Sequence, residues 1–156
     1  MKTYKKRITG ILILLIMVSC ALESQFALPN DEKIIPELLG EWISVENSDD
    51  RINIIKNSEE SYRLQIIEKT RIDEELIGFS KTINGFSIMN LKTESNGTIK
   101  NVFYGFNVKG NTLTFSEVND KLHEKEFKSA SELLKFFEEN VSKEDFFINH
   151  LDLKRK

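Results

Sequence analysis

Cys20 is the only cysteine of the chain, and its surroundings are those of a secretion signal. Four basic residues and no acidic residue lie within positions 1–7, and an unbroken run of eight apolar residues follows at 11–18. Ser19 then provides a small residue directly before the cysteine. A positive start, an apolar run and a small-residue exit form the layout of a secretory signal peptide. A lone cysteine in a secreted chain requires a special explanation. Because no intrachain disulfide is possible, the domain must be held by its core.

The apolar run is too short for a membrane-spanning helix. Eight helical residues extend about 12 Å at a rise of about 1.5 Å per residue, against a hydrocarbon core of about 30 Å. Starting the helix at Ile8 adds only three residues to the run. The pattern therefore predicts a signal peptide over residues 1–19.

Met17-Val18-Ser19-Cys20 resembles the bacterial lipobox, in which an aliphatic residue and two small residues precede an invariant cysteine. Met17 departs from the Leu that is usual at its position. The resemblance implies cleavage before Cys20, a lipid on the Cys20 sulfur and an acyl chain, such as palmitate, on the new amino group. Stable anchoring needs more than one acyl chain. The implied location is the bacterial cell envelope, on the outer membrane or the outer leaflet of the cytoplasmic membrane.

The other residues that could do chemistry form no recognisable constellation. His123 and His150 have no ligand-spaced partners, so both are interpreted as surface histidines. No glycine-rich phosphate loop is present, and the segment 78–82 lacks the second glycine of a nucleophile elbow. Three acidic clusters fall in predicted turns: Asp49-Asp50, Glu59-Glu60 and Asp73-Glu74-Glu75. Acidic residues in turns are ordinarily solvated surface charges, so these clusters are not interpreted as paired catalytic carboxylates. We therefore predict no metal, no cofactor and no enzymatic activity.

Composition indicates one acidic domain with a substantial core. Without residues 1–19 the chain has 137 residues, of which 18 are basic and 25 acidic, a net charge of −7. This charge disfavours nucleic acid and anionic lipid as main partners. Eleven Phe, three Tyr and one Trp in the whole chain exclude a disordered stalk. We predict a tether at residues 20–33, which include Pro29-Asn30-Asp31, and a domain at 34–156.

Beyond Gly40 the apolar residues follow the period of two that is typical of half-buried strands. Asn84-Gly85 predicts a type I′ hairpin turn, and Gly110-Asn111 predicts a type II′ turn. The turns place opposite one another Ile83 and Phe86, Lys81 and Ile88, Val108 and Leu113, and Phe106 and Phe115. The predicted strands are 41–46, 51–56, 62–68, 76–83, 86–92, 99–108, 112–118 and 147–154. Eight antiparallel strands can close into a barrel, which removes exposed sheet edges.

One helix interrupts the strands near the C-terminus. Ser129-Ala130-Ser131-Glu132 is a capping box, in which the Ser hydroxyl and the Glu carboxylate satisfy free backbone amides at a helix start. An apolar stripe at helical spacing follows, consisting of Leu133, Phe136, Phe137 and Val141. We predict that this helix precedes the last strand and covers one opening of the barrel.

Leu39-Gly40-Glu41-Trp42, at the start of the first strand, resembles the G-x-W signature of lipocalin-like barrels. The resemblance implies that Trp42 packs across the closed end of an eight-stranded barrel, against a basic residue of the last strand. Arg155 is placed for that contact. The chain departs from lipocalins in its helix, which they carry after the final strand.

The C-terminal part is also similar to a group of uncharacterised bacterial secreted and lipoprotein sequences. They share a helix with the Glu-Leu core of segment 129–136 and a terminal Leu-x-Leu-x-Arg strand, here 151–155. This resemblance brings no established activity.

Two functions remain open from the sequence. The first is a lipid-anchored module that binds a small apolar ligand or envelope component inside the barrel, lined by Trp42, Phe79, Tyr104 and Phe106. The second is a non-catalytic structural or interaction protein with a solid packed core, whose acidic surface contacts another envelope protein. Eight-stranded barrels are just wide enough to be filled by side chains or to hold one small ligand.

Overall fold

Alternating apolar residues form eight antiparallel strands that close into a barrel in the computed structural model, which describes residues 21–156. A further short strand at the N-terminus joins the same sheet. The strands are β1 (Glu23–Ser24), β2 (Gly40–Ser44), β3 (Asp50–Lys56), β4 (Tyr62–Glu68), β5 (Arg71–Ile83), β6 (Phe86–Ser95), β7 (Thr98–Lys109), β8 (Thr112–Val118) and β9 (Phe147–Arg155). The barrel comprises β2–β9 and closes where β9 pairs with β2. The predicted mainly β fold is confirmed.

The turn residues set the strand registers as predicted. Asn84 and Gly85 have φ values of 50° and 84°, the left-handed backbone that a type I′ turn requires. All four residue pairs expected beside the two hairpin turns are formed. An eight-stranded barrel with these short connections is compatible with the lipocalin-like resemblance.

The registers define two ends of the barrel. The closed end carries the turns at 57–61, 84–85 and 110–111, together with the 3-10 turn Pro36–Leu38 that leads into β2. The mouth end carries the loops at 45–49, 69–70 and 96–97 and the last residue of β8. Chain segments at opposite ends are separated by the length of the strands.

Helix α1 (Ala130–Asn140) packs on the outer wall of the barrel, formed by the outward faces of β5, β6 and β7. The Phe137 ring meets the outward-facing Phe103 ring edge-on, with 5.3 Å between the centroids. Phe79, Ile83 and Ile88 complete this buried wall. The helix therefore lies beside the strands and does not cover an opening, because these strands are apolar on both faces and the outer face requires a cover.

Ser129 caps α1 as the sequence predicts. Its hydroxyl accepts a hydrogen bond from the Glu132 backbone amide at 3.1 Å, and the Glu132 carboxylate accepts one from the Lys128 amide at 2.7 Å. Ser129→Ala should lower the free energy of unfolding by about 1 kcal/mol, because an orphan backbone amide loses its partner. Urea denaturation measures the loss. Ser131→Ala, two residues into the same helix, should change stability far less, and equal losses in the two variants would contradict the cap.

The segment 21–33, predicted to be a tether, instead packs along the barrel. Its strand β1 pairs with β7, and Leu22 and Leu28 are buried. The Leu28 amide donates to the Asn90 carboxamide at 3.0 Å. Asp31 and Glu32 then lie 2.6 and 3.0 Å from the Lys81 ammonium. The signal missed in the sequence is the apolar spacing of Leu22, Phe26 and Leu28, which the polar residues around Pro29 obscured.

Candidate functional site

Three of the four residues predicted to line a ligand site meet inside the barrel. Trp42, Tyr104 and Phe106 belong to the interior hydrophobic cluster and are buried. Phe79 does not join them. It lies on the outer wall with the residues of α1, where it borders an open surface groove of about 340 Å³ beside Ala27 and Leu28.

The interior of the barrel is filled by side chains. Tyr62 belongs to the interior cluster and is fully buried, and its hydroxyl oxygen accepts a hydrogen bond from the Ile35 amide at 2.6 Å. The same hydroxyl lies 3.0 Å from the Ser80 hydroxyl. The cavity at the mouth end, lined by Ile52, Ile66 and Leu153 among others, has a volume of about 10 Å³. That is room for about one water molecule, whereas ligand pockets usually measure roughly 300–1,000 Å³.

The closed end is sealed by the contact that the lipocalin-like resemblance implied. The Arg155 guanidinium carbon lies 4.2 Å from the centroid of the Trp42 ring, and the two residues pair directly across β2 and β9. Arg155 also donates to the carbonyls of Leu39 at 2.8 Å and Glu37 at 2.6 Å. The Trp42 indole N–H donates to the Leu38 carbonyl at 2.8 Å. This arrangement fastens the first strand to the last.

Gly40 of the G-x-W pattern has two physical reasons to be glycine. Its φ of 126° is a backbone conformation that side chains disfavour. A Cβ atom at this position would lie 2.9 Å from the Arg155 Nη1 atom. The pattern thus leaves room for the guanidinium that covers Trp42.

Buried and half-buried carboxyl groups collect at the mouth end. Asp50 is buried at the start of β3, and burial raises the pKa of its carboxyl although the Asn47 carboxamide donates to it at 2.7 Å. A hydrogen bond with Asp73 raises the pKa of Glu68. Contrary to the sequence interpretation, Asp73-Glu74-Glu75 does not lie in a turn, because β5 begins five residues earlier than predicted.

Tyr104 and Glu117 face each other across β7 and β8 near this mouth. Glu117 is buried, and its carboxylate accepts a hydrogen bond from the Asn149 carboxamide at 2.8 Å. Burial, followed by the negative charges of Glu117 and Glu74, raises the pKa of the Tyr104 phenol. The phenol therefore stays protonated at neutral pH and serves as a neutral part of the interior.

Glu74 provides a pH-dependent test of this end, because burial raises the pKa of its carboxyl above the ordinary value of 4.5. The folded protein binds this proton more tightly than the unfolded chain, so ionisation opposes folding. The penalty is greatest above the folded pKa, shrinks as the pH falls through it, and is absent below the ordinary value of about 4.5. Glu74→Gln should therefore raise the unfolding temperature at pH 7, and the advantage should vanish near pH 4.

Glu75→Gln is the matched control, since Glu75 is exposed and its carboxylate already accepts from Gln65 at 3.0 Å. It should bring no gain at pH 7. Thermal unfolding across this pH range measures both variants. A Glu74→Gln protein no more stable than the parent at pH 7 would contradict the burial of an ionised carboxylate.

The two histidines differ in their surroundings. His150 is exposed on β9, with its Nδ1 atom 2.6 Å from the Ser116 hydroxyl. His123 is half-buried, contrary to the surface interpretation, and its ring stacks on Phe127 with centroids 3.9 Å apart. Within residues 21–156 no group of three or more His, Cys, Asp or Glu side chains is arranged to hold a metal ion.

Cys20 lies outside the described residues, which begin at its neighbour Ala21. In the described part no helix combines the length and hydropathy needed to cross a membrane. Comparison with protein families, curated proteins and solved structures finds no match to this chain.

Proposed function

We propose that this chain is a bacterial cell-envelope lipoprotein, anchored by lipid on Cys20, whose lipocalin-like barrel is a non-catalytic structural or interaction module. The filled barrel interior is the observation that carries the proposal. Residues 20–156 have a net charge of −7, which suits a partner protein with a basic face. The Trp42–Arg155 closure at 4.2 Å supports the lipocalin-like assignment.

The same observation favours this function over binding of a small apolar ligand. A guest inside the barrel would have to displace buried rings such as Trp42, Tyr62 and Tyr104. Removing a large buried side chain from its packing costs about 3–5 kcal/mol, which the guest would have to repay. The interior hydrogen bonds of Tyr62 to Ile35 and Ser80 would also be broken.

Native mass spectrometry of the protein purified from cell envelopes tests the solid core. The expected mass is that of the chain from Cys20 onward plus its covalent lipid. The same sample after organic extraction under denaturing conditions is the control. A second, non-covalent apolar molecule in stoichiometric amount would contradict the proposal, and the groove beside Phe79 would then be examined first.

Lipid attachment is tested by Cys20→Ser. The variant should remain uncleaved or appear in the soluble fraction, because no sulfur remains to accept lipid. Detergent partitioning of cell fractions measures the change. Ser19→Ala keeps a small residue before the cysteine and should be processed and anchored like the parent. A Cys20→Ser protein that is still cleaved and fully membrane-bound would contradict the lipobox interpretation.

A further inference from the structure

The first described residues, 21–24, are held against the barrel near its mouth end. Ala21 forms a bridge with Asn119, the residue that follows the end of β8, and is buried in the interior cluster. Leu22 is buried in the hydrophobic cluster on the outer wall, and Glu23 pairs with Val102 of β7. Consecutive Cα atoms are about 3.8 Å apart, so a group attached to Cys20 starts within one residue of this fixed point.

The same end displays apolar side chains to solvent. Among the described residues, the three most exposed large hydrophobic side chains are Ile99, Val45 and Ile72, with 61%, 54% and 49% exposed. Val45 lies in the loop 45–49, Ile72 two residues beyond the turn 69–70, and Ile99 two residues beyond the turn 96–97. All three loops belong to the mouth end, although they connect different pairs of strands.

We propose that the mouth end faces the lipid bilayer and that Val45, Ile72 and Ile99 contact its headgroup and acyl boundary. The inference rests on the proposed lipidation of Cys20. A lipid fixed one residue from Ala21 brings this end to the membrane surface, because no flexible stalk separates the anchor from the barrel. Exposed aliphatic side chains at such a surface leave water and become buried at the boundary between headgroups and acyl chains, which is favourable.

Bilayer lipid fits this surface better than a charged partner would. The three side chains are aliphatic, and aliphatic surface recognises acyl chains without regard to headgroup charge. The adjacent turn carries Lys69, which is exposed, and β5 begins with Arg71, whose side chain is 81% exposed and lies 2.7 Å from the Asp73 carboxylate. Long basic side chains place their charge at headgroup level while their stems lie along apolar surface. The closed end then points away from the membrane.

Site-specific fluorescence of the full, lipidated protein tests the orientation. Val45→Cys, Ile72→Cys and Ile99→Cys would each carry an environment-sensitive NBD label. Ile55→Cys and Phe86→Cys, both 39% exposed beside turns of the closed end, are matched controls. The proteins are reconstituted into vesicles of phosphatidylethanolamine and phosphatidylglycerol that contain a spin-labelled phosphatidylcholine quencher. Circular dichroism verifies that each variant is folded.

Quenching of the mouth-end labels should be several-fold stronger than quenching of the closed-end labels. Equal quenching at both ends in protein that carries its lipid would overturn the inference. The intact mass of the same preparation distinguishes failure of the orientation from failure of the lipidation, because a chain without lipid at Cys20 would contradict the proposed function itself. Strong quenching at the closed end alone would reverse the orientation and also overturn the inference.

Discussion

Trp42→Ala should lower the free energy of unfolding by about 3–5 kcal/mol, one of the two largest effects expected from a single substitution in this barrel. Trp42 is fully buried, and its removal leaves a cavity that the surrounding strands cannot fill. The indole N–H bond to the Leu38 carbonyl is lost as well. Chemical denaturation monitored by circular dichroism measures the change, since the variant has no other tryptophan for fluorescence.

The contact with Arg155 adds a second, sharper measurement. A guanidinium over an indole ring contributes about 0.5–2 kcal/mol, and residues in contact give non-additive effects. The double variant Trp42→Ala, Arg155→Ala should therefore cost less than the sum of the two single variants. Arg155→Lys is the matched control. Lysine keeps the positive charge but lacks the planar guanidinium whose two NH2 groups donate to the Leu39 and Glu37 carbonyls. Strict additivity in the cycle would contradict closure through this pair.

Phe137→Ala should destabilise the protein by a comparable amount, about 3–5 kcal/mol. The ring is fully buried between α1 and the outer wall, 5.3 Å from the Phe103 ring and 5.6 Å from the Phe146 ring by their centroids. Its loss should loosen the helix from the wall and weaken the connection between β8 and β9. Urea denaturation gives the free energy, and hydrogen exchange of the α1 amides shows whether the helix opens first.

Lys135→Ala is the control for Phe137→Ala. The Lys135 side chain is 71% exposed on the same helix and is 3.6 Å from Glu139, so its removal should cost less than about 1 kcal/mol. If Phe137→Ala cost no more than this control, the helix would not be packed on the wall as described.

The hairpin turns, the helix start and the approximate strand positions could be predicted from the sequence, because each depends on residues close together in the chain. Asn84-Gly85 specified a turn because both residues tolerate positive φ, and that turn alone set the pairing of Ile83 with Phe86. Ser129 specified a helix start because its hydroxyl satisfies an amide three residues on. The alternation of apolar residues yielded the eight strands to within a few residues, except that β5 and β6 are longer at the mouth end.

The resemblance to the G-x-W signature supplied the one long-range contact predicted correctly. It joined Trp42 to Arg155, residues that no local rule connects. Strand parity places Tyr104 and Phe106 on one face, and the closed barrel brings that face into the same interior cluster as Trp42.

Tertiary structure alone decided which face of each strand lies inside. Alternation separates Phe79 from Ser80, but both faces of β5 are buried, so parity could not tell interior from outer wall. The outward face of β5 is buried because α1 and the segment 21–33 cover it. The local sequence pattern does not predict where either of these segments packs. For the same reason the burial of Asp50 depends on strands that close around it. The space left in the interior likewise depends on the sizes of side chains that meet only when the barrel closes.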